Sequence, residues 1–169
     1  MQSNKRIVII ATITIISLFV LIILFYGIPK EISKNFIAYE FIPNETNSGE
    51  EVNVQMEGVY RNPVVGNAIF TGNMVINKYD LTESYEMLDL NFDSVFYENM
   101  ATLTYISVID GKPKLELYGS VWLVDRDFVH LIITLNENAK LGIKDGTKVV
   151  IPAKDYNEAF DLYNNLIAE

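Results

Sequence analysis

Twenty consecutive residues, Ile7 to Tyr26, carry no charge, and fifteen of them are Ile, Leu, Val or Phe. At about 1.5 Å of rise per residue, a helix of that length is roughly 30 Å long, which is the hydrocarbon thickness of a bilayer. Each of those side chains contributes about −0.3 to −0.6 kcal/mol to insertion near the helix centre, so the run favours lipid by about −5 to −9 kcal/mol at most. The interruptions are Thr12, Thr14 and Ser17, whose hydroxyls can return to the helix's own carbonyls at little cost. No polar stripe of the kind a soluble helix displays runs along the segment. Residues 7–27 therefore read as a transmembrane helix, with the lipid bilayer as its partner.

A secretory signal peptide would also start with a basic patch, here Lys5 and Arg6. Its apolar core is shorter, about 7–15 residues, and is followed by a small-x-small cleavage site. Tyr26-Gly27-Ile28-Pro29-Lys30-Glu31 offers no such site, so an uncleaved signal-anchor is expected. Lys5, Arg6 and the terminal amine face Lys30 and Lys34 across the segment, three positive charges against two. That bias places residues 1–6 in the cytoplasm and the larger carboxy-terminal part outside a cell membrane. The Ile-, Asn- and Lys-rich composition points to a bacterial source.

Charge narrows the partners. Of 13 Lys and Arg, two precede the helix, whereas all 22 Asp and Glu follow it, leaving the remainder near −11. Such a surface repels nucleic acid and anionic lipid, so no nucleic-acid role is expected. The 142 residues after Gly27 suffice for one domain with its own core. Residues 28–50, with Pro29, Pro43, Asn44, Asn47, Ser48 and Gly49, read as a juxtamembrane linker ahead of a globular domain over 51–169. Within that linker, Phe36 to Ile42 is apolar enough to dock on the domain or to lie among the headgroups.

From Val52 onward, two-residue alternation broken by turn chemistry predicts antiparallel strands. Val52, Val54 and Met56 alternate with Asn53, Gln55 and Glu57. Further runs cover 68–77, 85–92, 100–109, 114–124, 128–135 and 147–151. In 85–92, Leu88, Leu90 and Phe92 are set against Met87, Asp89 and Asn91. The period then changes: Tyr156, Ala159, Phe160, Tyr163, Leu166 and Ile167 form one helical face, with Pro152 and Asp155 as start signals. The expected fold is α+β: a single transmembrane helix, a mainly antiparallel β domain of about six or seven strands, and a closing amphipathic helix.

Asp110-Gly111 marks a hairpin, and Asp125-Arg126-Asp127 a second connection. An uninterrupted register then sets Met100, Ile106 and Val108 on one face with Leu115, Leu117, Val121 and Leu123, beside Val129 and Leu131. The opposite face collects Tyr105, Tyr118, Trp122, Phe128 and His130, with Lys114, Glu116 and Ser120. These aromatics are the candidate ligand or partner face, a platform able to stack on a sugar, a base or a peptide side chain. The plainer reading is a second apolar layer covered by the carboxy-terminal helix or by Phe36–Ile42.

Little chemistry is signposted. His130 is the only histidine and cysteine is absent, so a zinc site of the usual ligand type is not available within one chain. No serine sits in a Gly-x-Ser-x-Gly elbow, and no glycine-rich phosphate loop occurs. Asp89-x-Asn91-x-Asp93 starts like a calcium loop, but Ser94 and Met100 stand where Gly and Glu are required. No catalytic residues, metal or cofactor are assigned, and no motif carries a family resemblance. The expected function is a membrane-anchored extracytoplasmic binding or scaffolding module, acting through protein or envelope-ligand contacts rather than as an enzyme. Two alternatives are an envelope-acting hydrolase using carboxylates with His130, and an accessory subunit whose helix contacts a larger membrane protein.

Overall fold

The computed structural model describes residues 2–43, 45, 49–92, 99–109, 111–124 and 128–168. Helix α1 covers Gln2–Tyr26. The Thr12 and Thr14 hydroxyls donate to the Val8 and Ile10 carbonyls, each at 2.9 Å, so neither leaves a bare polar group on the helix surface. The helix stops at Gly27, whose φ of +74° ends it in the left-handed conformation while its N–H still donates to the Ile23 carbonyl at 3.1 Å. Gly27 serves a second purpose, because a Cβ there would lie 2.8 Å from the Pro63 nitrogen. The helix end therefore rests directly on the turn between the second and third strands.

Among the described residues, nine strands follow in one antiparallel sheet: β1 Lys30–Phe41, β2 Glu50–Arg61, β3 Ala68–Ile76, β4 Glu86–Met87, β5 Leu90–Phe92, β6 Met100–Ile109, β7 Lys112–Leu123, β8 Leu131–Leu135 and β9 Lys148–Ile151. The spatial order is β4-β6-β7-β8-β9-β1-β2-β3-β5. Its two outermost strands, β4 and β5, are consecutive in the chain. Glu86–Met87 pairs with β6 and Leu90–Phe92 pairs with β3, so this one stretch bridges the edges and curls the sheet round on itself. Connections alternate between two ends of the curl. The β2–β3 turn lies at the end where α1 arrives, and the β6–β7 hairpin tip lies at the other.

Several expectations change. The strand count exceeds the expected six or seven. Within the expected linker 28–50, β1 pairs with β2 from Lys30↔Tyr60 to Glu40↔Glu50, so that Phe36–Phe41, most of the apolar run Phe36–Ile42, belongs to the sheet. A short helix, α2 at Asp80–Ser84, precedes β4. Where the chain changes partner, from β6 to β3, the alternation slips: Met87 points inward and Leu88 outward, ahead of buried Leu90 and Phe92. Strand β8 begins only at Leu131, leaving Val129 in the connection. The turns at Asp110 and Asp125–Asp127, and Asp93 and Ser94 of the calcium-like run, lie outside the described residues.

The largest correction concerns β6 and β7. Near the hairpin tip the register is the expected one, with Ile106↔Leu115 and Ile109↔Lys112. Between Leu103↔Gly119 and Thr104↔Leu117, however, Tyr118 is an extra residue, and this bulge resets the parity of β7. Beyond it, Val121 and Leu123 face the interior beside Ile133 and Leu131. Before it, Leu115, Leu117 and Val108 are turned out to solvent while Tyr105 and Tyr118 are turned in. Gly119 permits the bulge: a Cβ there would stand 2.0 Å from the Thr134 carbonyl oxygen.

The interior is filled by side chains. At the α1 end Phe128 stacks between Tyr60 and Phe70, with centroids at 4.8 and 4.7 Å, and meets Phe92 edge-on at 6.0 Å. It does so with a φ of +57°, a conformation that an aromatic residue holds only where packing overrides its steric cost. Outside the sheet, α3 at Tyr156–Ala168 lays Tyr156, Ala159, Phe160 and Tyr163 on Phe41, Ile132 and Val150. Asp155 caps it as expected, accepting from the Asn157 and Glu158 N–H groups at 2.9 and 3.0 Å.

Phe128→Ala should cost about 3–5 kcal/mol in urea unfolding of the detergent-solubilised chain, since it empties a stacked aromatic position. Gly119→Ala should cost about 1–3 kcal/mol by forcing β7 from β8. Melting unchanged in both variants would contradict the bulge and the stack.

Candidate functional site

The five aromatic candidates do not share an exposed face. Tyr105, Tyr118 and Phe128 are buried inside the curled sheet. Trp122 faces outward but packs in the cluster beneath α3. His130 is half-buried in the β7–β8 connection, where its carbonyl accepts from the Val124 N–H at 3.0 Å. Only Trp122 and His130 retain partial solvent contact, and no aromatic platform is formed by the five together.

The parity reset exposes a different surface. On the outer side of the β6–β7 hairpin, Val108, Leu115 and Leu117 are 69%, 64% and 62% exposed. Ile106 and Pro113 share that face through the Ile106↔Leu115 and Val108↔Pro113 pairs. Leu88, 38% exposed, extends it across β4, where its N–H donates to the Thr104 carbonyl at 2.9 Å. Single exposed apolar residues are ordinary, whereas a contiguous exposed set is a feature that contact surfaces share. Sequence reasoning placed Ile106, Val108, Leu115 and Leu117 on one face with Val121 and Leu123, the two of the set that the structure buries. The sign that could have moved the first four out is Tyr118-Gly119 inside an otherwise alternating strand, because an isolated strand glycine is a bulge signal.

A polar cluster sits at the end of the curl away from α1. Glu40, at the end of β1, is buried. Lys78 lies 2.5 Å from both Glu40 and Glu50, and the Tyr79 hydroxyl donates to Glu40 at 2.7 Å. Burial pulls the Lys78 ammonium down, yet the two carboxylates override it and hold the group above its ordinary 10.5. Burial and the adjoining Glu40 push the Tyr79 hydroxyl well above its usual range. Lys78 is thus a fixed positive charge and Tyr79 a fixed donor. Beside them is a hollow of about 130 Å³ lined by Gly142, Lys144 and Thr147. As built, each charge in the cluster is answered by a neighbour, and the arrangement ties the ends of three strands together. Glu40 and Lys78 are 38 residues apart, which is why no local pattern announced the pair.

Inside the same end, Tyr118 contacts Tyr79 and Tyr105 edge-on, with centroids at 5.9 and 5.5 Å. The Tyr105 hydroxyl donates to the Met74 carbonyl at 2.6 Å, whereas among the described residues that of Tyr118 finds no partner. Burial raises both phenols well above their usual range. Of the calcium-like run, Asp89 accepts from the Thr71 hydroxyl at 3.0 Å. Among the described residues, no group of three or more acidic or histidine side chains is placed to hold a metal. No protein-family model, curated protein or solved structure matches the chain.

Two outcomes follow from the tyrosines. Tyr105→Phe should lose about 1 kcal/mol with its hydrogen bond, whereas Tyr118→Phe should be neutral or slightly stabilising, since it removes a buried hydroxyl without an acceptor. Lys78, Tyr79, Tyr105 and Tyr118 all hold their protons more tightly when folded. Stability should therefore be intact below about pH 10 and fall as pH rises beyond it, as the unfolded chain releases those protons first. Urea titrations from pH 8 to about 11 check this, and Tyr79→Phe should flatten the decline. A pH-independent midpoint would contradict the burial of these groups.

Proposed function

We propose that the chain is a single-pass membrane protein whose β domain acts outside the cell membrane as a binding or scaffolding module. The observation that carries this reading is α1. Ile7–Tyr26 has a mean hydropathy of 3.2, and none of it is buried against the rest of the fold. An apolar rod of that length without a protein partner is stable only in lipid. The excess of positive charge before the helix supports an inside amino terminus and an outside domain.

The β6–β7 outer face supplies the contact surface, and its partner is a protein. The hairpin tip lies at the end of the curl opposite the arrival of α1, so the bilayer that holds the helix does not cover it. With the domain near −11, the fitting partner offers an apolar centre and a basic rim. Binding rather than catalysis is favoured by the Glu40–Lys78–Glu50 cluster, whose charges are spent on one another, and by His130 lying at the other end of the curl.

A photo-crosslinking side chain at Leu115, introduced into the full chain in native membranes, should give a discrete adduct, whereas one at Gln55 on the β2 surface should not. With the crosslinker kept at Leu115, Leu117→Asp beside it should leave melting unchanged and abolish the adduct, because an unpaired carboxylate pressed into an apolar contact costs at least about 2 kcal/mol, roughly thirtyfold in affinity. Equal crosslinking from Leu115 and Gln55 would refute the assigned surface.

A further inference from the structure

Between the last turn of α1 and the β2–β3 turn lies a cleft of about 410 Å³, whose lining includes Phe25, Tyr26, Arg61, Val65, Asn67 and Asn91. The two walls are held together. The Val65 N–H donates to the Leu24 carbonyl at 3.0 Å, and the Arg61 guanidinium lies 4.7 Å over the Tyr26 ring. Among the described residues, no carboxylate pairs with Arg61, and its buried Nε has no hydrogen-bond partner. A guanidinium presents a rigid fork of donors suited to carboxylate or phosphate oxygens. Arg61 is half-buried, its Nε is shut off from solvent without an acceptor, and the fork lines the cleft, so it can offer donors to an anion seated there.

The position of the cleft selects the anion. Tyr26 is the last residue of the twenty-residue apolar run, so the cleft opens where hydrocarbon gives way to headgroups. Its apolar walls, Phe25 and Val65, continue the lipid-facing surface of α1. Ile28 and Val64, 71% and 74% exposed, stand on either side of the junction at the same end of the molecule. The geometry points to a headgroup site: the phosphodiester of a membrane glycerophospholipid seated in this cleft, accepting from Arg61 and from the Asn67 and Asn91 amides, with its acyl chains alongside Phe25. This inference rests on α1 spanning the membrane as proposed above. Its consequence is a two-point attachment. One lipid clasped beside the helix fixes the tilt of a domain whose overall acidity would otherwise be repelled by an anionic bilayer surface.

Native mass spectrometry of the full chain, released from detergent micelles supplemented with phosphatidylglycerol, tests it. The wild type should retain one phospholipid. Arg61→Gln should reduce occupancy roughly tenfold, with partial recovery in Arg61→Lys, as expected for one charge-assisted contact. Asn67→Ala should fall between wild type and Arg61→Gln, and Gln55→Ala, outside the cleft lining, should match wild type. Unchanged occupancy in Arg61→Gln overturns the inference, and so does an equal loss in Gln55→Ala. Displacement of the lipid by excess inorganic phosphate would mean that the cleft reads a free ion, which overturns the membrane assignment. Carbonate extraction separates the two levels of the argument. A wild-type chain released into the soluble fraction defeats the anchoring itself, whereas a pelleted chain with unaltered lipid occupancy in Arg61→Gln defeats only the cleft.

Discussion

The apolar flank of α1 has nothing in the protein to bury against, and that constraint orders the rest of the molecule. A helix that leaves Ile7 to Ile22 exposed is long and apolar enough to cross a membrane, and on the proposed reading lipid covers what the protein does not. It needs a clean ending, since a helix running on into the domain would drag apolar surface with it. Gly27 provides the stop through its left-handed backbone, and the lack of a side chain there lets the β2–β3 turn press against the same point. The result is a short, packed junction at the start of what the sequence reads as a juxtamembrane linker. One end of the curled sheet is thereby assigned to the helix side, and the β6–β7 tip to the far side.

Closure of the sheet is the second organising element. A chain with no cysteine has no disulfides to stiffen it, and an open antiparallel sheet would present unpaired edges. The stretch Glu86–Phe92 covers part of both edges at once, pairing with β6 through Glu86–Met87 and with β3 through Leu90–Phe92. That change of partner explains the slip at Leu88, and the curl it produces leaves room inside for Phe70, Phe92, Phe128, Tyr105 and Tyr118. The acidic exterior repels itself, but at each end of the curl inward packing outweighs it: stacked aromatics beside α1, and the Glu40–Lys78–Glu50 tie opposite.

What the sequence made legible was what depends on near neighbours. The uncharged run of α1, the helical face and Asp155 cap of α3, and the alternation of β2 and β3 are all written within a few residues. What depends on distant partners was hidden. β1 looked like a spacer because Pro29 and Pro43 bracket it and its partner β2 lies beyond a turn-rich gap; only the apolar run Phe36–Ile42 betrayed it. The exposed face of β6–β7 was misread because one extra residue, Tyr118, inverts every side chain that precedes it in β7. Counting by twos cannot detect such a reset without giving weight to Gly119. The same inversion dissolved the expected platform, sending Tyr105 and Tyr118 into the core and leaving Leu115 and Leu117 outside. The ion cluster and the cleft beside Tyr26 were invisible for a similar reason, since each draws on three separate stretches of chain.

The central claim, that α1 crosses a bilayer and holds the β domain on the far side, is most directly tested with introduced thiols, because the chain has no cysteine of its own. A membrane-impermeant maleimide applied to intact cells should label Lys112→Cys, at the hairpin tip, and leave Ser3→Cys unlabelled until the cells are lysed. Labelling of Ser3→Cys before lysis, or protection of Lys112→Cys, would contradict the account.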